Sequence, residues 1–442
     1  MELLLVIFEL VYDNVYRRHK AVNRHEQDRD EWLEQDTMSP SLFPYALASV
    51  CSLWRHVMLS VPKFWGRVVI LIDPPAPLSG VVSQFWSSRD RQLDVIVTRS
   101  AFHDAVDRRH ERSQIAAIMD IIGSHIHRIR ELHINVMFSS SLPFPTDFYG
   151  TATKLRVLEL QSKEDDGGSD CESISLTEHV KFLCPKLKSF VIDGRMFYEA
   201  CWGDAQWSRK IATVKSLTIS HFQPRPGESF STDQLMRPLT ALRSLDTLRI
   251  VDTVLCPSPK SIDDPDLPWV NYLDFDGLID FRVMDQIIYL MVDPYNISFT
   301  RCGLEHITDV FQHFGDGGEL RLAEINHDLA PLLRLWIGHA LDIADCPGFN
   351  DVLLDTMASK ENGVFNCAKR LKTMTIRNCP NFSVVALRRF VQSRPRWDLQ
   401  VLTSVTPFTT PIEHVHLSGN VPIVSQADVA WFDTNLSSFS ST

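Results

Sequence analysis

A short strand signal, apolar-x-x-apolar-x-apolar, recurs along most of this chain and constrains its fold more than any other feature. It stands at Ile129-Leu132-Ile134, Leu155-Leu158-Leu160, Leu187-Phe190-Ile192, Val214-Leu217-Ile219, Leu245-Leu248-Ile250, Val270-Leu273-Phe275 and Leu371-Met374-Ile376. Shorter forms are Ile297-x-Phe299, Leu341-x-Ile343 and Val415-x-Leu417. One match to a six-residue pattern means nothing. A series of them, mostly about 25–32 residues apart, predicts stacked units that each bury an apolar face against their neighbours. Stacking also suits 442 residues, because a single compact core stops growing at roughly 250–300.

A finer repeat sharpens this expectation. Phe299-Thr300-Arg301-Cys302, Ile343-Ala344-Asp345-Cys346 and Ile376-Arg377-Asn378-Cys379 share the form apolar-x-x-Cys. The last two continue as Cys-Pro-x-Phe, through Phe349 and Phe382. Helical spacing follows each cysteine: Ile307, Val310, Phe311 and Phe314; then Val352, Leu353 and Met357; then Val384, Leu387, Phe390 and Val391. Strand, turn and helix in this order form the unit of a leucine-rich repeat. The strand's apolar residues and the Cys point inward, and the helix closes the outer face. The connections Ala101–His127 and Phe230–Leu242 are expected to be helical too. The predicted fold class is α/β: from about residue 65 to 420, a curved leucine-rich-repeat solenoid with a parallel sheet on its concave face and helices outside. The turn-rich stretches Glu164–Asp170 and Cys256–Ser261 read as loops, and the Ser-rich Asn435–Thr442 as a frayed tail.

Charge and cysteine usage exclude other classes. A net charge of −11 opposes general nucleic-acid binding, which needs a basic footprint. The run Arg17-Arg18-His19-Lys20 is followed by Asp28, Asp30, Glu31 and Glu34, and reads as part of a solvated loop. Nine scattered cysteines fit free thiols in a reducing compartment better than a disulfide framework. Met1–Val11 is apolar, but Glu2 and Glu9 interrupt it and it lacks a basic n-region and a small-residue cleavage site. No stretch reaches the roughly 18 uncharged apolar residues of a membrane span. The expected location is cytoplasm or nucleus, with no membrane partner. No phosphate loop, dinucleotide fingerprint, nucleophile elbow or Cys-x-x-Cys pair is present, so neither catalysis nor a cofactor is expected. Cys302 with His306 and His313 lacks a fourth metal ligand. Asp165, Asp166 and Asp170 lack a calcium-loop spacing. The pairs His125/His127 and His414/His416 read as surface or capping residues.

The first 66 residues are different in kind. Leu3, Ile7 and Leu10 share one helical face, with Leu4, Phe8 and Val11 beside it. A polar stretch, Asp13–Ser39, follows. A second helix is predicted over about 44–60, where Leu47, Val50, Trp54 and Val57 keep three- and four-residue spacing, until Pro62 ends it. So small a cluster must lean on a neighbour or a partner. The segments ELLLVIFELV and SPSLFPYALASVCSLWRHVMLSVPKFWGRVVI resemble the F-box of a large fungal family. The matching positions are Glu2-Leu3-Leu4-Leu5, Ile7-Phe8, Leu10, Val50-Cys51, Trp54-Arg55, Pro62 and Trp65. The apolar-x-x-Cys units likewise resemble the repeats common behind F-boxes. The resemblance implies binding to a Skp-type adaptor and, through it, to a cullin–RING ubiquitin ligase.

The expected organisation is therefore an F-box-like helical domain at 1–66 with a charged insert at 13–39, an irregular solenoid at 67–425, and a tail at 426–442. Adaptor binding is expected from Leu3, Leu4, Ile7, Phe8, Leu10, Leu47, Val50 and Trp54. A target protein is expected on the concave face, at the outward positions Glu159, Val191, Thr218, Arg249, Asp274, Thr375 and Arg377, whose chemistry changes from unit to unit. The alternative is a solenoid scaffold that binds proteins without a ligase.

Overall fold

The computed structural model describes residues 2–22, 43–72, 78–99, 107–144, 147–167, 182–203, 207–258, 268–291, 294–305, 318–361, 364–365, 367–394 and 410–442. The chain forms two compact units, Met1–Thr213 and Val214–Thr442. The second half of the charged insert, the helical spacing at Ile307–Phe314, His306, His313 and Asp170 lie outside the described residues, as do the ends of both expected loops.

The first unit opens with α1 (Glu2–Val22), α2 (Tyr45–Val50) and α3 (Ser52–Leu59), followed by a 3-10 turn at Pro62–Trp65. Two expectations are corrected here. Helix α1 runs on through the start of the polar stretch to Val22, because nothing from Glu2 to Val22 is a Gly or Pro that would stop it. The single helix expected over 44–60 is two. Cys51 between them is extended, and its Sγ accepts the Trp54 N–H at 3.5 Å, so that it caps α3.

Five strands follow: β1 (Arg67–Leu71), β2 (Leu93–Thr98), β3 (Ile129–Phe138), β4 (Val157–Glu164) and β5 (Ser189–Asp193). They pair in parallel and in chain order. Crossover segments include α4 (Leu78–Ser87) and α5 (Arg108–His125), the latter inside the connection expected to be helical. Helices α6 (Gly194–Gly203) and α7 (Trp207–Lys210) end the unit. Buried and half-buried carboxylates tie down the carboxyl ends of its strands. Glu111, 1% exposed, accepts the N–H groups of Met137 and Phe138 at 3.0 and 3.2 Å. Asp193 accepts from Ser162 Oγ and from the N–H of Arg195. Asp166 binds the hydroxyls of Ser139 and Ser140 and the guanidinium of Arg108. Arg195 pairs with Asp165 at 2.9 Å.

Among the described residues the second unit holds nine parallel strands, again added in chain order. They are β6 (Ser216–Phe222), β7 (Thr247–Thr253), β8 (Tyr272–Asp276), β9 (Asn296–Thr300), β10 (Glu319–Ala323), β11 (Ala340–Ala344), then β14 (Thr373–Arg377), β15 (His414–Ser418) and β16 (Ser438–Ser441). A small antiparallel ribbon, β12 (Lys360–Glu361) and β13 (Val364–Phe365), stands between β11 and β14. Helices α8 (Thr232–Leu239), α9 (Phe281–Leu290), α10 (Ala330–Leu335), α11 (Asp351–Ala358), α12 (Val384–Ser393) and α13 (Gln426–Asn435) lie in the crossovers. The strand burial alternates as the pattern predicts: Leu248/Ile250, Leu273/Phe275, Leu341/Ile343 and Met374/Ile376 are all buried. The tail is corrected: instead of fraying, it forms α13 and β16, where Phe439 stacks on Phe432 at 4.4 Å.

Eight of these nine strands finish in one way. His221, Asp252, Gly277, Arg301, Glu324, Asp345, Asn378 and Gly419 each have φ between +43° and +71°. His221 and Asp252 lie one residue before the ends of β6 and β7, and the other six immediately follow their strands. The N–H groups of Gly277, Arg301, Glu324, Asp345 and Asn378 donate to a carbonyl at the end of the next strand, at 2.9–3.1 Å. The chain then turns inward, and the cysteines follow. Cys302 and Cys346 donate their thiols to carbonyls of their own and the preceding strand, and Cys379 to its own. Burial pushes the thiols of Cys302 and Cys346 up to about 12.

Candidate interaction surfaces

The head has a closed aromatic core. Phe8, Phe43, Ala48, Val57, Met58, Phe64 and Trp65 are buried together, and Leu4, Leu47 and Trp54 pack against them. Phe43 meets Phe64 edge-on at 5.0 Å, and Phe8 meets Trp54 at 5.0 Å; such pairs contribute about 0.5–1.5 kcal/mol beyond area burial. Trp65 Nε1 donates to the Met58 carbonyl at 3.0 Å. Tyr45 joins the head to the sheet: its hydroxyl donates to Gln84 at 2.9 Å and accepts from the Val69 N–H at 3.4 Å.

The other side of α1 is apolar and uncovered. Leu3 is 74% exposed and Leu10 65%, with Val6, Ile7 and Val11 beside them. Val50, Leu53 and Leu59 on α2 and α3 are exposed as well. An ordinary amphipathic helix turns polar side chains to water. This one is apolar on both sides, and a clustered exposed apolar surface marks an interaction site. The expected adaptor residues thus divide into three groups. Leu3, Ile7, Leu10 and Val50 are outward; Leu4, Leu47 and Trp54 are half-buried. Phe8, fully buried, belongs to the core and not to the exposed face. Val6, Val11 and Leu53 extend the outward group. Their signal was the width of the apolar stripe itself.

The second surface is the sheet face opposite the buried strand residues. Register sets its central row. In the first unit it runs Val69, Ile96, His133, Glu159, Val191. In the second it runs Thr218, Arg249, Asp274, Ser298, Arg321, Asp342, Thr375, His416, Ser440. The positions expected from spacing alone, Glu159, Val191, Thr218, Arg249, Asp274 and Thr375, all fall in these rows, and Arg377 lies two residues along from Thr375. Val69, Ile96, His133, Ser298, Arg321, Asp342, His416 and Ser440 complete the rows and were missed.

The charges on this face are largely matched to one another. Arg249 pairs with Asp274 at 2.9 Å and Asp276 at 3.3 Å. Arg301 pairs with Asp276 at 2.6 Å and Asp252 at 3.3 Å. Arg377 binds Asp342 at 2.6 Å, and Arg321 approaches the same oxygen at 3.9 Å. Burial raises the carboxyls of Asp274 and Asp342 above their usual range despite these partners. In the first unit His133 Nδ1 lies 2.8 Å from Glu159, and both are buried. Burial opposes the charge on His133, but Glu159 and Glu131 outweigh it and hold the imidazole at about 9. Beside it, Arg130 binds Asp94 through two bonds, and Asp94 is pushed up to about 6, first by burial and then by Glu131.

Other candidates resolve into structural roles. His125 stacks on Phe85 at 4.8 Å, while His414 and His416 hydrogen-bond Ser438 and Ser440 on β16. Asp165 and Asp166 serve the strand-end network. Among the described residues no group of three His, Cys, Asp or Glu side chains is placed to hold a metal ion, and no helix is long and apolar enough to cross a membrane. No protein-family model matches the chain, and no curated protein matches it either.

Proposed function

We propose that this protein is a non-enzymatic F-box-type substrate receptor. In this reading the head binds a Skp-type adaptor, and the strand repeats are a leucine-rich-repeat solenoid that holds a target protein. The observation that carries it is the uncovered apolar side of α1, set directly on a closed aromatic core. A cap that served only to seal the sheet would present polar side chains there. The resemblance of the same segments to an F-box supplies the partner. The repeats support the rest: central-row residues from Arg249 to Asp342 follow one another at roughly 21–25 residues, inside the 20–29 of leucine-rich repeats. The mechanism is proximity, which raises the effective concentration of the target at the ligase's transfer machinery.

The test is a pull-down of the full chain with a Skp-type adaptor. Replacing exposed Ile7 and Leu10 with Asp is expected to lower capture at least tenfold while the thermal midpoint stays within a few degrees. Equal capture by wild type and variant would sink the assignment of this face. No capture of the wild-type chain would leave the scaffold reading in its place.

A further inference from the structure

Arg321, Arg377 and Asp342 sit together in the second unit with an unbalanced charge. On β7–β9, two guanidiniums (Arg249, Arg301) pair with three carboxylates (Asp252, Asp274, Asp276), and Arg321 is near enough for its charge to act on Asp274 too. On β10–β14 the ratio reverses, and one carboxylate, Asp342, serves two guanidiniums. Arg377 makes the real hydrogen bond, at 2.6 Å. Arg321 stands off at 3.9 Å, beyond hydrogen-bond reach. The Nε atoms of Arg321 and Arg377 are buried and have no hydrogen-bond partner among the described residues. Buried donors of this kind normally find an acceptor. His416 is close enough for its charge to act on Asp342, and Thr375 stands between them in register. Glu319, exposed at the start of β10, bounds the positive patch on its amino side.

We propose that Arg321 and Arg377 form a site for one anionic side chain, a phosphate or a carboxylate, carried by an extended peptide segment. Both guanidiniums already converge on a single Asp342 oxygen, so an incoming anion can bridge them from the open side of the sheet. Forked donors suit this geometry better than point charges do. Asp342 is the resident acceptor: an incoming anion shares or displaces its hold on the two arginines. The surplus carboxylate on β7–β9 adds polarity to the site. Three strand spacings of about 4.8 Å separate Asp274 from Asp342. A segment crossing the strands, at about 3.3 Å per residue, reaches that distance in about four residues. The favoured segment therefore carries a Lys or Arg about four positions from its anionic residue. A long polyanion is disfavoured, because it would run over Asp252, Asp274 and Asp276.

This inference rests on the sheet face being the recognition surface for a target, and its test is independent of the adaptor. The full chain is immobilised and offered a degenerate library of twelve-residue peptides with one fixed central residue, in three arms: phosphoserine, Glu and Ser. Enrichment of phosphoserine or Glu peptides over Ser peptides, with Lys or Arg selected about four positions away, is the expected result, and the arm that enriches names the anion. In Arg321→Gln and Arg377→Gln the preference is expected to fall at least tenfold with an unchanged thermal midpoint. In Asp342→Asn it is expected to persist or rise, since a resident competitor is removed. No arm enriched over Ser, or a preference that survives the double Gln variant, overturns the site. A chain that captures the adaptor but enriches no anionic peptide refutes this proposal alone.

Discussion

The two units build the same kind of parallel sheet but finish its strands differently. In the second unit the backbone does the work: eight strands in a row end in a residue of positive φ, and five of the N–H groups there bond directly to the next strand. In the first unit, among the described residues, Arg89 is the one non-glycine residue with positive φ, and buried side chains take over. Glu111, Asp166 and Asp193 accept the strand-end donors. A backbone turn repeats indifferently to its side chain, which is why His221, Asp252, Arg301, Glu324, Asp345 and Asn378 can all occupy it. A buried carboxylate is specific and depends on its ionisation state, and it leaves orphaned groups behind when removed. The first unit should therefore be sensitive to single substitutions and to pH in ways the second is not.

The largest effect is expected at Glu111. Glu111→Ala strands two half-buried strand-end N–H groups and should destabilise the chain by about 2–3 kcal/mol, read from the denaturant midpoint. A loss below about 1 kcal/mol would remove the contrast between the units. The next is a pH effect. The folded-state value of His133, about 9, lies above its ordinary 6.5. Its stabilisation is therefore complete below pH 6.5 and is lost as the pH rises through about 9. Asp193, raised by burial to about 7 from an ordinary 3.8, loses its contribution lower, between those values. The slope above pH 7 thus belongs to His133. Stability should fall on the order of 2 kcal/mol from pH 7 to 9, and His133→Gln should flatten that slope. A slope unchanged in the variant would assign it elsewhere. The smallest effect belongs to the second unit. Gly419 has φ +71°, and an added Cβ would meet the Asn378 side chain at 2.0 Å. Gly419→Ala should cost about 1–2 kcal/mol, with no dependence on pH. A cost as large as that at Glu111 would show that the backbone turn is no more tolerant than the carboxylate network.

Sequence pattern recovered the strands that carry two apolar residues flanked by polar ones, and register then placed Arg249, Asp274 and Thr375 in one row. It passed over β1 and β2, where Val69 and Ile96 make the outward face apolar too and erase the alternation. It passed over β10, where Gly317 stands in place of the first apolar residue, and β16, whose strand offers only Phe439. The break at Cys51 was invisible because its neighbours keep helical spacing on both sides. In the head, periodicity grouped Phe8 with Leu3 and Ile7, because a helix that is apolar all round does not reveal which side is covered. The charge pairing on the sheet face was illegible for a different reason. Arg377 and Asp342 are 35 residues apart, and only the crossover between their strands makes them neighbours.

The inward cysteines also give the second unit a built-in timekeeper. A thiol that burial raises above its ordinary value, and that is occupied with a carbonyl, offers almost no thiolate to an alkylating reagent or a peroxide. Cys302, Cys346 and Cys379 mark three separate repeats, whereas Cys51 in the head is exposed. Covalent labelling would saturate Cys51 at once and reach the other three only when their own repeat opens, so the order of modification along the chain records the order in which the stack comes apart.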